Sequence, residues 1–344
     1  MKKQNQKIGL LAAISLIVGN MIGAGIFVLP ASLAKFGSIS ILGWIFTATG
    51  ALILAKIFSN FSKLISNKNG GPYLYSKVVF GDFIGFLVAW GYWISCWINN
   101  AAIAVAIVSA LSFFFPQLIN SPLYATITGL SFIWFFTWTS SMGVKSSGNI
   151  QIITTVAKIV PLLFIIIAGI FIFDYNIFPD FNITEKSDIE IFPIVCVMTL
   201  YAFLGIESAT IPASSIKNPN KIIPTATMIG TVISTLIYIF GTVILFGILP
   251  METLIDSPAP FAEAGNIIGG KYAGYFVSAG AAISAIGALN GWILITSYMP
   301  MSMANDNLFP KVFKNTNSKG SPIVSLVFGS ILTSFVMTMN FSEG

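Results

Sequence analysis

The 344-residue sequence contains no histidine, which removes the usual proton shuttle and the commonest metal ligand. It has only two cysteines, Cys96 and Cys196, and both lie inside apolar runs, so a disulfide framework is not indicated. Charge is equally scarce. Charged residues make up 8% of the chain, against about 25% in a soluble domain. There is no Walker pattern, no metal-ligating cluster and no pair of carboxylates within one apolar run. An enzyme, a metal centre and an organic cofactor are therefore not expected. No A-x-A-like site follows the first apolar run, which continues past residue 30, so no cleavable signal is expected. The pI near 9.1 comes from lysines in short loops and not from a surface for nucleic acid.

What fills the chain is hydrocarbon. Apolar residues reach 56% and the mean hydropathy is +0.87. A membrane-spanning helix takes about 20 such residues. On that measure the sequence predicts nine spans, near 8–35, 38–61, 83–115, 124–141, 150–173, 191–215, 222–249, 272–304 and 322–339. The third and eighth exceed the bilayer and should tilt or project beyond it. All 17 basic residues are lysines, and they sort by alternate loops. Lys2, Lys3, Lys7, Lys56, Lys63, Lys68, Lys77, Lys145, Lys217, Lys221, Lys311, Lys314 and Lys319 fall on the amino-terminal side. Only Lys35, Lys186 and Lys271 fall on the other, and Lys158 lies within a span. This bias predicts a cytoplasmic amino terminus in a multi-pass protein of the cell (inner) membrane. The acidic residues between Asp174 and Glu190, with Glu252, Asp256 and Glu263, gather on the opposite side. They either raise the cation concentration at an outer mouth or simply solvate loops.

Two apolar segments are interrupted by glycine at matching places. One reads Asn20-Met21-Ile22-Gly23-Ala24-Gly25-Ile26-Phe27 and the other Tyr201-Ala202-Phe203-Leu204-Gly205-Ile206-Glu207-Ser208. A glycine inside a helix costs about 1 kcal/mol relative to alanine. A freed backbone group in hydrocarbon costs several times that, unless it is buried or lines a cavity. A matched pair of broken helices marks the midplane binding site of a secondary transporter. Counted from the breaks, residues 8–173 form a first unit of five spans and residues 191–340 a second of four.

These residues resemble the amino acid–polyamine–organocation family. The resemblance rests on Gly19 to Phe27 with Leu29-Pro30, Gly70-Gly71-Pro72-Tyr73, and Tyr92 to Asn100. It extends through Phe203 to Ala209, Lys217-Asn218-Pro219, Ile223-Pro224, and Ala304 to Pro310. Within the family the chain is most similar to the basic amino acid/polyamine antiporters. The resemblance implies an all-α polytopic membrane protein with a single transmembrane transporter domain over 1–344. Its fold would be the inverted five-plus-five helix repeat, here truncated after about nine transmembrane helices. The implied function is exchange of arginine, lysine or ornithine for a related amine or amino acid. The substrate is a small molecule and the surroundings a lipid bilayer; a homodimer stays open. A proton-coupled neutral amino acid symporter of the same fold and a transport-inactive truncated remnant remain as alternatives.

The resemblance also implies roles for single residues. Ile22, Gly23, Ala24 and Gly25 would offer backbone N–H groups to the substrate α-carboxylate; small residues that only permit close helix packing are the other reading. Carbonyls around Gly205 would accept from the α-ammonium. Asn20, Cys96, Asn100 and Leu204 match further substrate-contacting positions. Tyr201 matches an aromatic that stacks on a cationic substrate, usually tryptophan in similar transporters. Trp292 matches a second aromatic gate, although either aromatic would also serve as plain packing. Glu207 is the only carboxylate placed inside a span; it would couple protons or gate, or else tie the broken helices together. Lys158 would stand in place of a sodium ion and carry a proton, or it would snorkel to the near face.

Overall fold

The computed structural model describes residues 7–65, 68–112 and 114–342, so Lys2 and Lys3 lie outside the described residues. Among these residues the architecture is helical, and the one extended feature is an isolated parallel bridge between Ile8 and Ile216. In chain order the helices are α1 (Leu10–Met21), α2 (Leu29–Ala34), α3 (Ile39–Leu64), α4 (Pro72–Phe80), α5 (Asp82–Ser112) and α6 (Gln117–Asn120). They continue with α7 (Pro122–Ser141), α8 (Val144–Gly169), α9 (Asp188–Tyr201), α10 (Pro219–Ile248), α11 (Met251–Asp256), α12 (Pro260–Asn305) and α13 (Ile323–Ser342).

Six of these, α3, α5, α8, α10, α12 and α13, are long and apolar enough to cross a membrane among the described residues. The expected first and sixth spans do not form long helices, and glycine is the reason. After Met21 the chain leaves the α-conformation at Ile22 (φ −82°, ψ 83°), makes a 3-10 turn over Gly25–Phe27 and restarts as α2. After Tyr201 it runs through turns to a 3-10 segment at Ala213–Ser215. The expected fourth span is α7, with 20 residues. The expected eighth span corresponds to the part of α12 that follows a break at Gly269 and Gly270, whose backbone angles are not helical. The part before it, from Pro260, lies back against its start, with Gly265 beside Ala273 and Gly274.

The outer faces are oily and the seams small, as a bilayer demands. Phe46 on α3, Ile153 and Val156 on α8 and Val197 on α9 are exposed, whereas Ala48, Ala51 and Ala55 of α3 are buried. Small residues bring helix axes close where lipid supplies no hydrophobic drive for association. The central helix is α12: 78% of its most apolar window is buried, against 33% to 61% for the others. It packs on α5, α8 and α13 and touches α1. An aromatic cluster fixes the entry to the second break. Phe203 meets Trp44 and Tyr238 edge-on at 5.9 and 5.5 Å, and the Tyr238 hydroxyl donates to the Ala202 carbonyl at 2.9 Å.

One end of the bundle, which carries Lys77, Lys145, Lys217 and Lys319, is tied shut. Ile8 N–H donates to the Ser215 carbonyl and Lys217 N–H to the Ile8 carbonyl, both at 2.9 Å. Gly70 N–H donates to the Ile211 carbonyl at 3.0 Å, and Gly71, at φ +48°, presses against Thr210 where a side chain would collide. Tyr73 donates to Asp306 at 2.6 Å, and Lys77 pairs with both Asp82 and Asp306 at 3.1 Å. Burial, then the Asp306 carboxylate, push the Tyr73 phenol far above its usual range, so it stays a donor.

Candidate functional site

The two breaks meet at Asn20. Its side-chain amide donates to the Ser208 hydroxyl at 2.9 Å, linking α1 to the irregular segment after α9. Gly205 lies against the same residue. It holds φ +111°, and a Cβ there would sit only 3.1 to 3.2 Å from Asn20 and the Met21 nitrogen. From α12, Trp292 donates its indole N–H to the Asn20 carbonyl at 3.3 Å, and Gly291 leaves the room that the Asn20 carboxamide oxygen occupies. That oxygen is buried and has no hydrogen-bond partner.

The carbonyls freed by the first break are collected by side chains. Lys158 of α8 is fully buried, and its ammonium donates to the carbonyls of Ile22 at 2.6 Å, Gly19 at 2.9 Å and Ser284 at 3.2 Å. It does not snorkel. Three acceptors match the three protons of an ammonium, and the carbonyl end of α1 is the negative pole of its dipole. Ser284 of α12 adds a hydroxyl shared between the Ile22 and Gly23 carbonyls, at 3.0 and 3.1 Å. On the amide side of the break there is space. Gly25 is exposed and a Cβ on it would meet nothing within 4 Å; one on Gly23 would reach only the Ala288 methyl at 3.7 Å. The Ile22 and Gly23 N–H groups, expected as donors to a carboxylate, are instead taken by the Val18 and Met21 carbonyls at 2.8 and 3.0 Å. That leaves Ala24 and Gly25 as the candidate donors at the start of the 3-10 turn.

Glu207 is buried and is met by hydrogen bonds rather than a cation. Tyr92 donates its hydroxyl to one carboxylate oxygen at 2.6 Å, and the Gly205 N–H donates to the other at 3.2 Å. Its own carbonyl accepts from the Thr210 hydroxyl at 2.6 Å. A hydrogen bond to a charged group contributes about 1.5–3 kcal/mol. Tyr92→Phe is therefore expected to lower the unfolding free energy in detergent by about 1.5–3 kcal/mol, measured by chemical denaturation, because the carboxylate stays buried with one donor fewer.

On α5, Tyr92, Cys96 and Asn100 follow at intervals of four and share one face. Cys96 and Trp292 are buried together with Ala288, and the Asn100 amide donates to the Thr296 hydroxyl at 3.1 Å. The structure thus gathers Asn20, Ile22, Gly23, Cys96, Gly205, Glu207, Lys158 and Trp292 around the first break, while Asn100 lies farther along α5, against Thr296 and α13. Ala24 lies half-buried at its rim. Tyr201 and Leu204 stand apart: they are 64% and 53% exposed, and Tyr201 reaches only Asn99 of α5, at 3.3 Å. Sequence reading missed Ser208, Ser284 and the part Tyr92 takes. For two of them a signal existed. Tyr92 continues the Cys96–Asn100 spacing, and Ser284, Ala288, Trp292 and Thr296 repeat every four residues along α12.

Residues 8–344 match the family model described as amino acid permease. The chain is 34% identical over 338 residues to the cadaverine/lysine antiporter of Escherichia coli (strain K12), covering 97% of this chain and 75% of the relative. It is 31% identical to the arginine/ornithine antiporter of Pseudomonas aeruginosa, over 100% of this chain and 73% of the relative. It is also 31% identical to the arginine/agmatine antiporter of Chlamydia pneumoniae, over 98% of this chain and 72% of that protein. The chain spans about three quarters of the length of these relatives. A family match over nearly all of the sequence, on an all-helical bundle whose two broken helices meet at one asparagine, makes this chain a member of the amino acid permease family.

Proposed function

We propose that this chain is a secondary active transporter that exchanges a basic amino acid, arginine, lysine or ornithine, for a related amine or amino acid by alternating access. The observation that carries the reading is the junction of the two breaks at Asn20 and Gly205, beside the open space at Gly25. An amino acid lying there turns its α-carboxylate to the amides of Ala24 and Gly25 and its ammonium to the carbonyls near Gly205. Trp292, with Cys96, walls one side. Tyr201, exposed here, swings onto the ligand as the site closes. Glu207 and Lys158 hold the two breaks by their carbonyls and amides, so their contacts change when the helices rock. The inverted repeats are residues 8–173 and 191–340, and one bundle moves against the other. We place the protein in the cell (inner) membrane with a cytoplasmic amino terminus, on the bias of lysines between loops.

The names of the three relatives favour a basic substrate. Counterflow in proteoliposomes tests this. Vesicles loaded with lysine should accumulate labelled lysine, and external arginine or ornithine should compete while leucine does not. A neutral symporter of the same fold is the second reading, favoured by the Lys158 ammonium seated on the Gly19 and Ile22 carbonyls. Accumulation driven by leucine rather than lysine would establish it. Binding without transport is read separately. In detergent, a basic amino acid at about one hundred times its Kd should stabilise the fold by about 2.7 kcal/mol, seen as a raised Tm. No shift with any amino acid, together with no counterflow, points to an inactive chain.

A further inference from the structure

Helix α5 grips the second break at two points. On the side of the lysine-rich end, the Tyr92 hydroxyl donates to Glu207 at 2.6 Å. About 10 Å further along α5, the Asn99 carboxamide oxygen accepts from the Tyr201 hydroxyl at 3.3 Å. Tyr92 and Asn99 are two helical turns apart, so both lie on the face that α5 turns to the break. The outer contact differs from the inner one in kind. Tyr201 is 64% exposed, whereas Tyr73, Tyr238 and Tyr298, whose hydroxyls are also hydrogen-bonded, are between 0% and 1% exposed. Packing fixes those three rings. Tyr201 is held by its tip: among the described residues Asn99 is its one polar contact, and no second ring stacks on it.

Tyr201 also stands where a small turn of the backbone moves its ring far. It is the last residue of α9, and its carbonyl accepts the Leu204 N–H at 3.2 Å as the chain leaves the helix. Gly205, at φ +111°, follows four residues on, against Asn20 and Met21. The ring therefore hangs from the border between a regular helix and the non-helical stretch that forms one side of the junction. A phenylalanine here would present the same aromatic face. What tyrosine adds is one hydroxyl, and Asn99 is the group that receives it. A hydrogen bond is worth roughly two- to twelve-fold in an equilibrium, enough to set how often the ring lies off the junction. Asn99 is half-buried on α5, and an amide at that depth is costly to leave unpaired.

We propose that Asn99 is a positioning residue that latches Tyr201 off the junction, so that their hydrogen bond must break before the ring closes over a substrate. What the latch does to transport rests on the exchanger reading of this chain; the latch itself does not. Apparent affinity falls with the fraction of protein that is not ready to close. Tyr201→Phe keeps the ring and removes the latch, and Asn99→Ala removes it from the other side. In proteoliposomes each should lower the KM for external lysine by about three-fold. The kcat should fall with it, because a closed ring releases substrate more slowly. The double variant should match either single one, since both cut the same bond. A KM unchanged or raised in either single variant, or about nine-fold lower in the double, overturns the latch. If the unmodified protein shows no counterflow with lysine, arginine or ornithine, the exchanger reading fails. The latch is then read without substrate, from the unfolding constants of the same four proteins in detergent. Coupling of about two-fold or more between the substitutions sustains it, and additive effects overturn it.

Discussion

Gly205→Ala abolishes lysine counterflow and lowers the unfolding free energy by about 1–3 kcal/mol. The residue holds φ +111°, a conformation that glycine adopts freely and an alanine resists. Space is also lacking. The added methyl would lie 3.1 to 3.2 Å from the Asn20 Cβ and carbonyl carbon and from the Met21 nitrogen, which are backbone or fixed to it. The chain must push the two breaks apart, and the hydrogen bond from Asn20 to Ser208 goes with them. Since the proposed ligand lies between those breaks, binding fails along with transport: the thermal shift produced by lysine should vanish. A variant that loses counterflow yet keeps the full shift would place the effect in helix motion and not in the site.

Lys158→Met separates function from stability more sharply. Methionine keeps the unbranched stem and removes the donors to Gly19, Ile22 and Ser284. Each carbonyl left unpaired in the interior costs about 1–3 kcal/mol. Against this, taking an ammonium out of a fully buried place returns a desolvation cost of several kcal/mol. Ser284 still donates to the Ile22 and Gly23 carbonyls, so the break is not stripped. The two effects oppose each other, and the net change in unfolding free energy is expected within about 2 kcal/mol of zero. Counterflow, however, should fall by at least about ten-fold, since no cation is left to hold and release the broken helix. Equal counterflow in the two proteins would remove Lys158 from the mechanism.

How much of this was legible beforehand follows from what each feature depends on. The breaks are local. Glycine in an apolar run, at Gly23 and Gly25 and again at Gly205, admits non-helical backbone, and the chain does unwind at both places. The break in α12 is local too: Gly269-Gly270 read as the loop before a span, and the backbone there is not helical. Site residues in a helical stripe were legible in part. Cys96 and Asn100 predict Tyr92 by spacing, but nothing in the sequence says that its hydroxyl meets Glu207, 115 positions away. The Asn99–Tyr201 pair, 102 positions apart, is likewise a product of packing alone. Lys158 was ambiguous for a physical reason. A lysine near a helix end can reach either water or the interior, and only the position of the α1 carbonyls decides between them.

The most direct test is a structure of the protein determined with lysine or arginine bound. The ligand should lie between residues 22–28 and 202–208, its α-carboxylate on the amides of Ala24 and Gly25 and its α-ammonium toward the carbonyls around Gly205, with Trp292 alongside. Continuous α-helix through either segment, or a ligand seated away from both, would contradict the account.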